Sequence, residues 1–180
     1  MFAESIDTNR FVLRVPRPTD GAAVYDAVSD VIEQLRAWPG SWPWASQPQS
    51  VAVSTAHCER ARGCFEAQQR WNMFVFDKNT NKVVGNAEFH TIHRESRMWE
   101  LGVWTRPGWQ HRGVMTEALT TLLAWMKTNN ADIEIVIKID CANSVSKQLA
   151  KKVGFKSVGV YEHDGYVLEM LSSNPRIEND

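Results

Sequence analysis

The stretch from Trp99 to Ala118, WELGVWTRPGWQHRGVMTEA, holds residues whose order could do chemistry. A strand-like run stops at Pro107-Gly108, a polar loop Gln110-His111-Arg112-Gly113 follows, and an amphipathic run then begins. A helix starting there leaves its first backbone N–H groups without intrahelical partners, at the positive end of its dipole. Such an end binds phosphate. Gly113 permits close backbone approach, and His111 or Arg112 can add positive charge. With no GK[ST] and no GxGxxG, the loop is neither a P-loop nor a dinucleotide fingerprint. Taken alone, it reads equally well as a plain loop-to-helix junction. A second cluster is Trp38, Trp42 and Trp44, three of the chain's eight tryptophans. Aromatics so close together can line a peptide cleft, stack on a cation, or plug the end of a core.

The elements that must position these residues follow from periodicity and breakers. Phe11 to Val15 alternates as a strand. Thr19 or Asp20 caps a helix through about Leu35, which the Trp38–Trp44 loop ends with its prolines and glycine. Ser50 to about Arg70 is helical in composition. Met73–Phe76 and Val83–Phe89 flank the turn cluster Asp77–Asn81 and read as a hairpin. Met98 to Trp104 is a further strand. Gly113 to Lys127 is the clearest helix, with Met115, Ala118, Leu119, Leu122 and Met126 on one face. Glu134 to Asp140 is the clearest strand, with Ile135, Ile137 and Ile139 on one side. Asn143 or Ser144 caps a short helix whose Val145, Leu149 and Val153 face inward, and Gly154 ends it. Phe155–Tyr161 and Tyr166–Leu171 surround Asp164-Gly165, a hairpin signal. This order predicts a mixed sheet with helices on both faces.

Composition narrows the function classes. The 180 residues fit one domain, with a core over about 11–171 and a flexible tail at 172–180. The chain is 43% hydrophobic, and 20 Lys and Arg against 21 Asp and Glu give a net charge of −1. That argues against a nucleic-acid-coating or anionic-membrane protein. No apolar run of about 20 residues predicts a membrane helix. Met1 to Arg14 does not read as a signal peptide. Cys58, Cys64 and Cys141 form no CxxC pair, which fits a reducing compartment and no clustered zinc site. The expectation is a cytoplasmic protein.

Gln110-His111-Arg112-Gly113-Val114-Met115 resembles the Q/R-x-x-G-x-G/A pyrophosphate loop of the GNAT N-acetyltransferases, with Met115 replacing the last small residue. That replacement, followed by Thr116-Glu117-Ala118-Leu119, is similar to the RimJ/RimL-type branch, which acetylates ribosomal-protein N-termini. So are Trp99–Trp104 and Asn143-Ser144-Val145-Ser146 followed by Lys152-Val153-Gly154-Phe155. Three motifs occur in the family's order and at its spacing, over roughly Phe11 to Leu171. The resemblance implies the α/β (α+β) GNAT fold: a central mixed, mainly antiparallel sheet of about six to seven strands with helices on both faces.

The resemblance also implies acetyl-CoA as co-substrate. Its pyrophosphate would lie on the backbone of Gln110, His111, Arg112, Gly113, Val114 and Met115. The pantetheine arm would run as a pseudo-strand along Leu101, Val103, Trp104 and Thr105. Val103 or a neighbour would offer its N–H to the thioester carbonyl. Asn143 would contact the pantetheine amide besides capping its helix. Ser146 would hydrogen-bond the CoA sulfur and protonate the leaving thiolate. The tyrosine acid of many GNATs would fall at Ala150, so it is absent. An attacking amine must lose its proton, and Glu100 matches the position of a base in several branches. Glu162 lies near the branch's proposed catalytic glutamate, with His163 able to act in its place. Trp38, Trp42 and Trp44 would wall the acceptor groove, and His90 is a further candidate beside it. No metal is expected.

The expected reaction is direct acetyl transfer to a primary amine, most simply a protein N-terminal α-amine. Polyamines, amino acids, aminoglycosides and a non-catalytic CoA-binding module stay open. Dimers are frequent in the resembling branch.

Overall fold

The computed structural model describes residues 2–93, 95 and 97–174; the side chains of residues 90–93 lie outside that description, as does the 175–180 part of the expected tail. Eight strands form one sheet: β1 (Ser5–Asp7), β2 (Phe11–Arg14), β3 (Arg70–Asp77), β4 (Val83–His93), β5 (Met98–Thr105), β6 (Glu134–Asp140), β7 (Lys156–His163) and β8 (Tyr166–Ser172). Their spatial order is β1-β2-β3-β4-β5-β6-β8-β7. Every neighbouring pair is antiparallel except β5 and β6. Those two are joined by a helical crossover, as parallel neighbours require.

Four helices cover the sheet: α1 (Gly21–Arg36), α2 (Val51–Glu66), α3 (Val114–Asn129) and α4 (Ser144–Lys152). The alternation of β3 shows how. Phe74 and Phe76 pack with Val24, Val28, Ile32 and Leu35 of α1 and Cys58 of α2. Met73 and Val75 pack on the other face with Leu119, Leu122 and Met126 of α3. A strand buried on both faces loses the polar alternation of a half-exposed one, and β3 is buried throughout after Arg70. Each fully buried Leu or Phe here contributes roughly 1.5–3 kcal/mol.

Expected and observed elements differ in four places. β1 adds an eighth strand that three residues of sequence do not announce. Asp20 precedes α1 but makes no cap bond with its side chain. Its carboxylate is held instead by the Arg14 guanidinium at 2.6 and 2.9 Å. Val145, expected inward, is 63% exposed, and Ala150 is the residue α4 buries. The Trp38–Trp44 loop contains a short 3-10 turn over Pro43–Ser46. Ser50, by contrast, does cap α2 through the Val53 N–H, and Asp164-Gly165 does turn the last hairpin with positive φ at both residues.

Candidate active site

β5 and β6 pair only at Met98↔Glu134, Trp99↔Ile135 and Glu100↔Val136, and then part. The opposite edge of β5 stays paired with β4 as far as Thr105. The Arg106 N–H donates to the Val84 carbonyl. That bond sets the alternation of an antiparallel ladder, so Trp104, Gly102 and Glu100 exchange bonds with β4. The N–H and C=O of Val103 therefore point the other way, into the gap. Leu101, Val103, Ile137 and Ile139 line the resulting cleft, with Asn143, Ser146, Leu149 and Ala150 of the α4 region.

The parting opens toward the carboxyl ends of the two parallel strands. α3 and α4 both begin there, which is where ligands settle in open α/β sheets. Gly113 precedes α3 with φ +73°, a left-handed conformation, and makes no side-chain cap bond. The Glu117 N–H donates to the Gly113 carbonyl, so Val114, Met115 and Thr116 keep backbone N–H groups with no intrahelical partner. A Cβ on Gly113 would meet only an Arg10 guanidinium nitrogen, at 3.5 Å. The cradle is open, shaped by backbone and lined by donors, which fits a pyrophosphate.

That cradle is braced from outside its own segment. Arg10, in the turn between β1 and β2, donates from Nη1 to the Arg112 carbonyl at 3.1 Å and from Nε to Glu117 at 2.7 Å. Glu117 also accepts from the Arg10 N–H at 2.8 Å and the Thr8 hydroxyl at 2.7 Å. Burial opposes the Glu117 charge, but those donors outweigh it and hold the carboxyl below its ordinary range. On the loop's other side the Arg106 guanidinium pairs with Asp26 and Asp30 of α1 at 2.8 and 2.6 Å. Gln110 bridges Gln34 of α1 and the Thr105 carbonyl. Met115 is buried because Gly85 of β4 makes room for it: a Cβ there would lie 2.9 Å from the Met115 methyl. The close approach of helix to strand is thus kept by a glycine on the strand.

Asn143 caps α4, its Oδ1 accepting the Ser146 N–H at 3.1 Å. Ser146 stands half-buried at the cleft. On the face of α1 and α2, Trp42 lies over Gly102; a Cβ on that glycine would be 3.2 Å from the indole. Trp42 meets Trp44 edge-on at 6.3 Å, and Trp44 is the outer, exposed ring. Trp38 holds the turn through its carbonyl, which accepts the Ser41 and Trp42 N–H groups. Glu100 lines the cleft and pairs with Lys138 of β6 at 2.9 Å. Beside it a buried polar row continues inward: Asn86 donates to Asn72 at 2.6 Å, and Asn72 stands 3.2 Å from His57 Nε2. Burial pushes the His57 imidazole down, toward its neutral form.

The structure thus gathers Glu100, Leu101, Val103, Asn143, Ser146 and Trp42 at one cleft and sets Gln110 to Met115 at its end. Trp104 is placed otherwise. Its side chain is buried with α1, and its backbone is taken up by β4. Glu162 is exposed on β7, opposite Val167 at the hairpin tip and on the reverse face from Tyr161, so the fold does not bring it to Glu100. The side chain of His90 falls outside the described residues. Arg10, Lys138 and Tyr161 are additions from the fold. Lys138 carries a legible signal: it is the one cation in the apolar strand EIVIKID.

Parted parallel strands with two helix N-termini at their carboxyl ends are the architecture of the GNAT acyltransferase fold. Residues 10–156 match the family described as the acetyltransferase (GNAT) domain, and the chain belongs to that family. Among solved structures it resembles a RimL ribosomal L7/L12 α-N-protein acetyltransferase in complex with coenzyme A, at 20% identity over 94% of this chain and 97% of that one, TM-score 0.81. The ribosomal-protein-S5-alanine acetyltransferase of Vibrio fischeri matches at 16% identity over 98% and 97%, TM-score 0.80. The microcin C7 self-immunity acetyltransferase MccE, in complex with acetyl-CoA and AMP, matches at 20% identity over 91% and 92%, TM-score 0.79. No curated protein matches the sequence.

Proposed function

We propose that the protein is an acetyl-CoA-dependent N-acetyltransferase that acetylates the α-amine of a peptide or protein N-terminus by direct transfer. The observation that carries this is the parting of β5 from β6 after Glu100 with the unpartnered N-terminus of α3 at its open end. Relatives of the fold bound to coenzyme A or acetyl-CoA support the donor, and the ribosomal-protein acetyltransferases among them support the acceptor.

Bound acetyl-CoA supplies an activated thioester. The free N–H groups of Val114 to Thr116, with Arg10 behind them, would hold its pyrophosphate, and the Val103 N–H would hold the thioester oxygen. Glu100 takes the proton that the amine gives up as its nitrogen bonds to the acetyl carbon. Ser146 gives a proton to the sulfur as the carbon–sulfur bond breaks and regains one through water from protonated Glu100, so that the amine's proton ends on the thiol. An α-amine titrates near 8 and a lysine side chain near 10.4, so at neutral pH an α-amine is about 250-fold richer in its reactive neutral form. That difference favours N-termini over lysines before any contact is made.

Thermal unfolding with and without acetyl-CoA, followed by a free-thiol assay on an amine panel, tests the reading. Ligand at 100 times its dissociation constant stabilises by roughly 2.7 kcal/mol. A shift with thiol release on N-terminal peptides is the expected result. A shift without release on any amine removes the catalytic reading, and no shift removes the donor site.

A further inference from the structure

The loop that carries Trp38, Trp42 and Trp44 forms a roof over the sheet, pinned at two points. At one end the Gly40 backbone lies on the Tyr166 ring of β8, where a Cβ would stand 2.8 Å from Cγ. At the other, Trp42 covers Gly102 of β5. Ser41 and Trp42 line the cleft together with Glu100 and Lys138. Register carries the floor further. Glu100 pairs with Val136, Lys138 with Met170, and Met170 with Gly159. Alternate residues share a face, so Glu100, Lys138 and Tyr161 all lie on the roofed side.

Two hydrogen-bond donors stand on that side, near enough for the Lys138 charge to act on Tyr161. Lys138 presents an ammonium with three N–H bonds, and Glu100 is its one partner among the described residues. Burial weakens the Lys138 charge, but Glu100 outweighs it, so the group stays an ammonium. The Tyr161 hydroxyl is buried with no hydrogen-bond partner among the described residues. Burial pushes it up, so it stays protonated and remains a donor. An unpaired buried hydroxyl is costly unless something completes it. The amine's own nitrogen cannot serve: an ammonium has no lone pair to accept with, and the lone pair of the neutral amine is aimed at the acetyl carbon.

We propose that Lys138 and Tyr161 form an oxygen-binding subsite, so that the enzyme selects amines bearing a carbonyl or carboxylate oxygen on the adjacent carbon and rejects plain alkylamines and polycations. This rests on the acetyltransferase reading and narrows its acceptor. The oxygen of an α-aminoacyl group lies near enough to its nitrogen to meet the subsite while the nitrogen reaches the cleft.

The test compares phenylalanine amide with 2-phenylethylamine, which lacks the carbonyl group. The ratio of their kcat/KM values is measured in the native protein and in Lys138→Met, Lys138→Arg and Tyr161→Phe, because the change in ratio cancels the amines' own basicities. Lys138→Met should lower the ratio by about tenfold or more, as loss of a hydrogen bond from a charged donor does. Tyr161→Phe should lower it less, and Lys138→Arg should restore most of it. All three should keep the acetyl-CoA thermal shift. A ratio unchanged in Lys138→Met, with acetyl-CoA still bound, overturns the subsite. A second readout needs no turnover: with CoA bound, phenylalanine amide should raise the unfolding temperature of the native protein but not of Lys138→Met. That protection without acetylation of either amine would sustain the subsite and remove the catalytic reading; its absence alongside non-selective turnover would do the reverse.

Discussion

The two ends of the cleft are made of different materials. At the α3 end the contacts come from backbone: N–H groups of consecutive residues, a left-handed Gly113, and a loop tied down by Arg10, Arg106 and Gln110. Under the tryptophan loop they come from side chains on four separate elements: Trp42 before α2, Glu100 on β5, Lys138 on β6 and Tyr161 on β7. A backbone site tolerates many sequences that keep its turn, and it suits a ligand shared across a family. A side-chain site changes with each substitution, and it suits the part of the reaction that differs between enzymes.

The sharpest way to break this comparison is at Glu100. Glu100→Gln should lower kcat by about 100-fold or more at pH 7, the usual effect of losing a general base. The loss should persist above about pH 9, because even a neutral α-amine must shed a proton as its nitrogen bonds to carbon. A loss confined to the acceptor KM, with kcat unchanged, would mean that Glu100 only positions Lys138. Next comes Gly113→Asp, which puts a carboxylate in the cradle beside Arg10. Acetyl-CoA affinity should fall by about 100-fold, or about 2.7 kcal/mol, measured by titrated thermal shift. The unliganded unfolding temperature should fall modestly, because the left-handed φ of Gly113 strains any side chain even though a Cβ there meets only the Arg10 guanidinium. Unchanged affinity would show that the α3 end is not the phosphate site.

Trp42→Ala sharpens the contrast from the other side. Removing the indole over Gly102 should raise the acceptor KM by about tenfold, equivalent to about 1.4 kcal/mol. Acetyl-CoA binding should not move, since the roof and the cradle share no residue. A parallel loss of acetyl-CoA affinity would join the two regions into one.

The same contrast explains what could be read from the chain. Gln110 to Met115 are contiguous, so their loop-to-helix chemistry stands in one line of sequence. The α3 face and the Ile135, Ile137, Ile139 row are periodic, and both are buried as periodicity requires. Arg10 supports a loop about a hundred residues away, and no local pattern connects Arg10 with Arg112. Tyr161 and Glu162 are adjacent in sequence but face opposite sides of β7, so choosing between them needs the register with β8, including its irregularity between Ser157 and Gly159. Val145 shows the limit of periodicity in a nine-residue helix: its spacing matches Leu149 and Val153, which pack against the core, yet it stays exposed.

The smallest expected effect concerns the brace behind the cradle. Glu117 sits in the first turn of α3, where a carboxylate favours the helix but would oppose a bound phosphate. Arg10 reconciles the two by pairing with Glu117 while keeping a second nitrogen toward Gly113. Glu117→Gln should therefore cost about 1 kcal/mol of stability at pH 7, the scale of a charge-assisted hydrogen bond at a partly exposed site. The folded carboxyl titrates below its ordinary value of 4.5. Its contribution is thus complete above that value and drains away as pH falls through the lower folded one. Denaturant unfolding of both proteins should show the gap at pH 7 and lose it in acid. A gap that persists in acid would make Glu117 a packing residue. It would leave the phosphate cradle resting on its backbone alone, a still stronger form of the contrast with the roofed side.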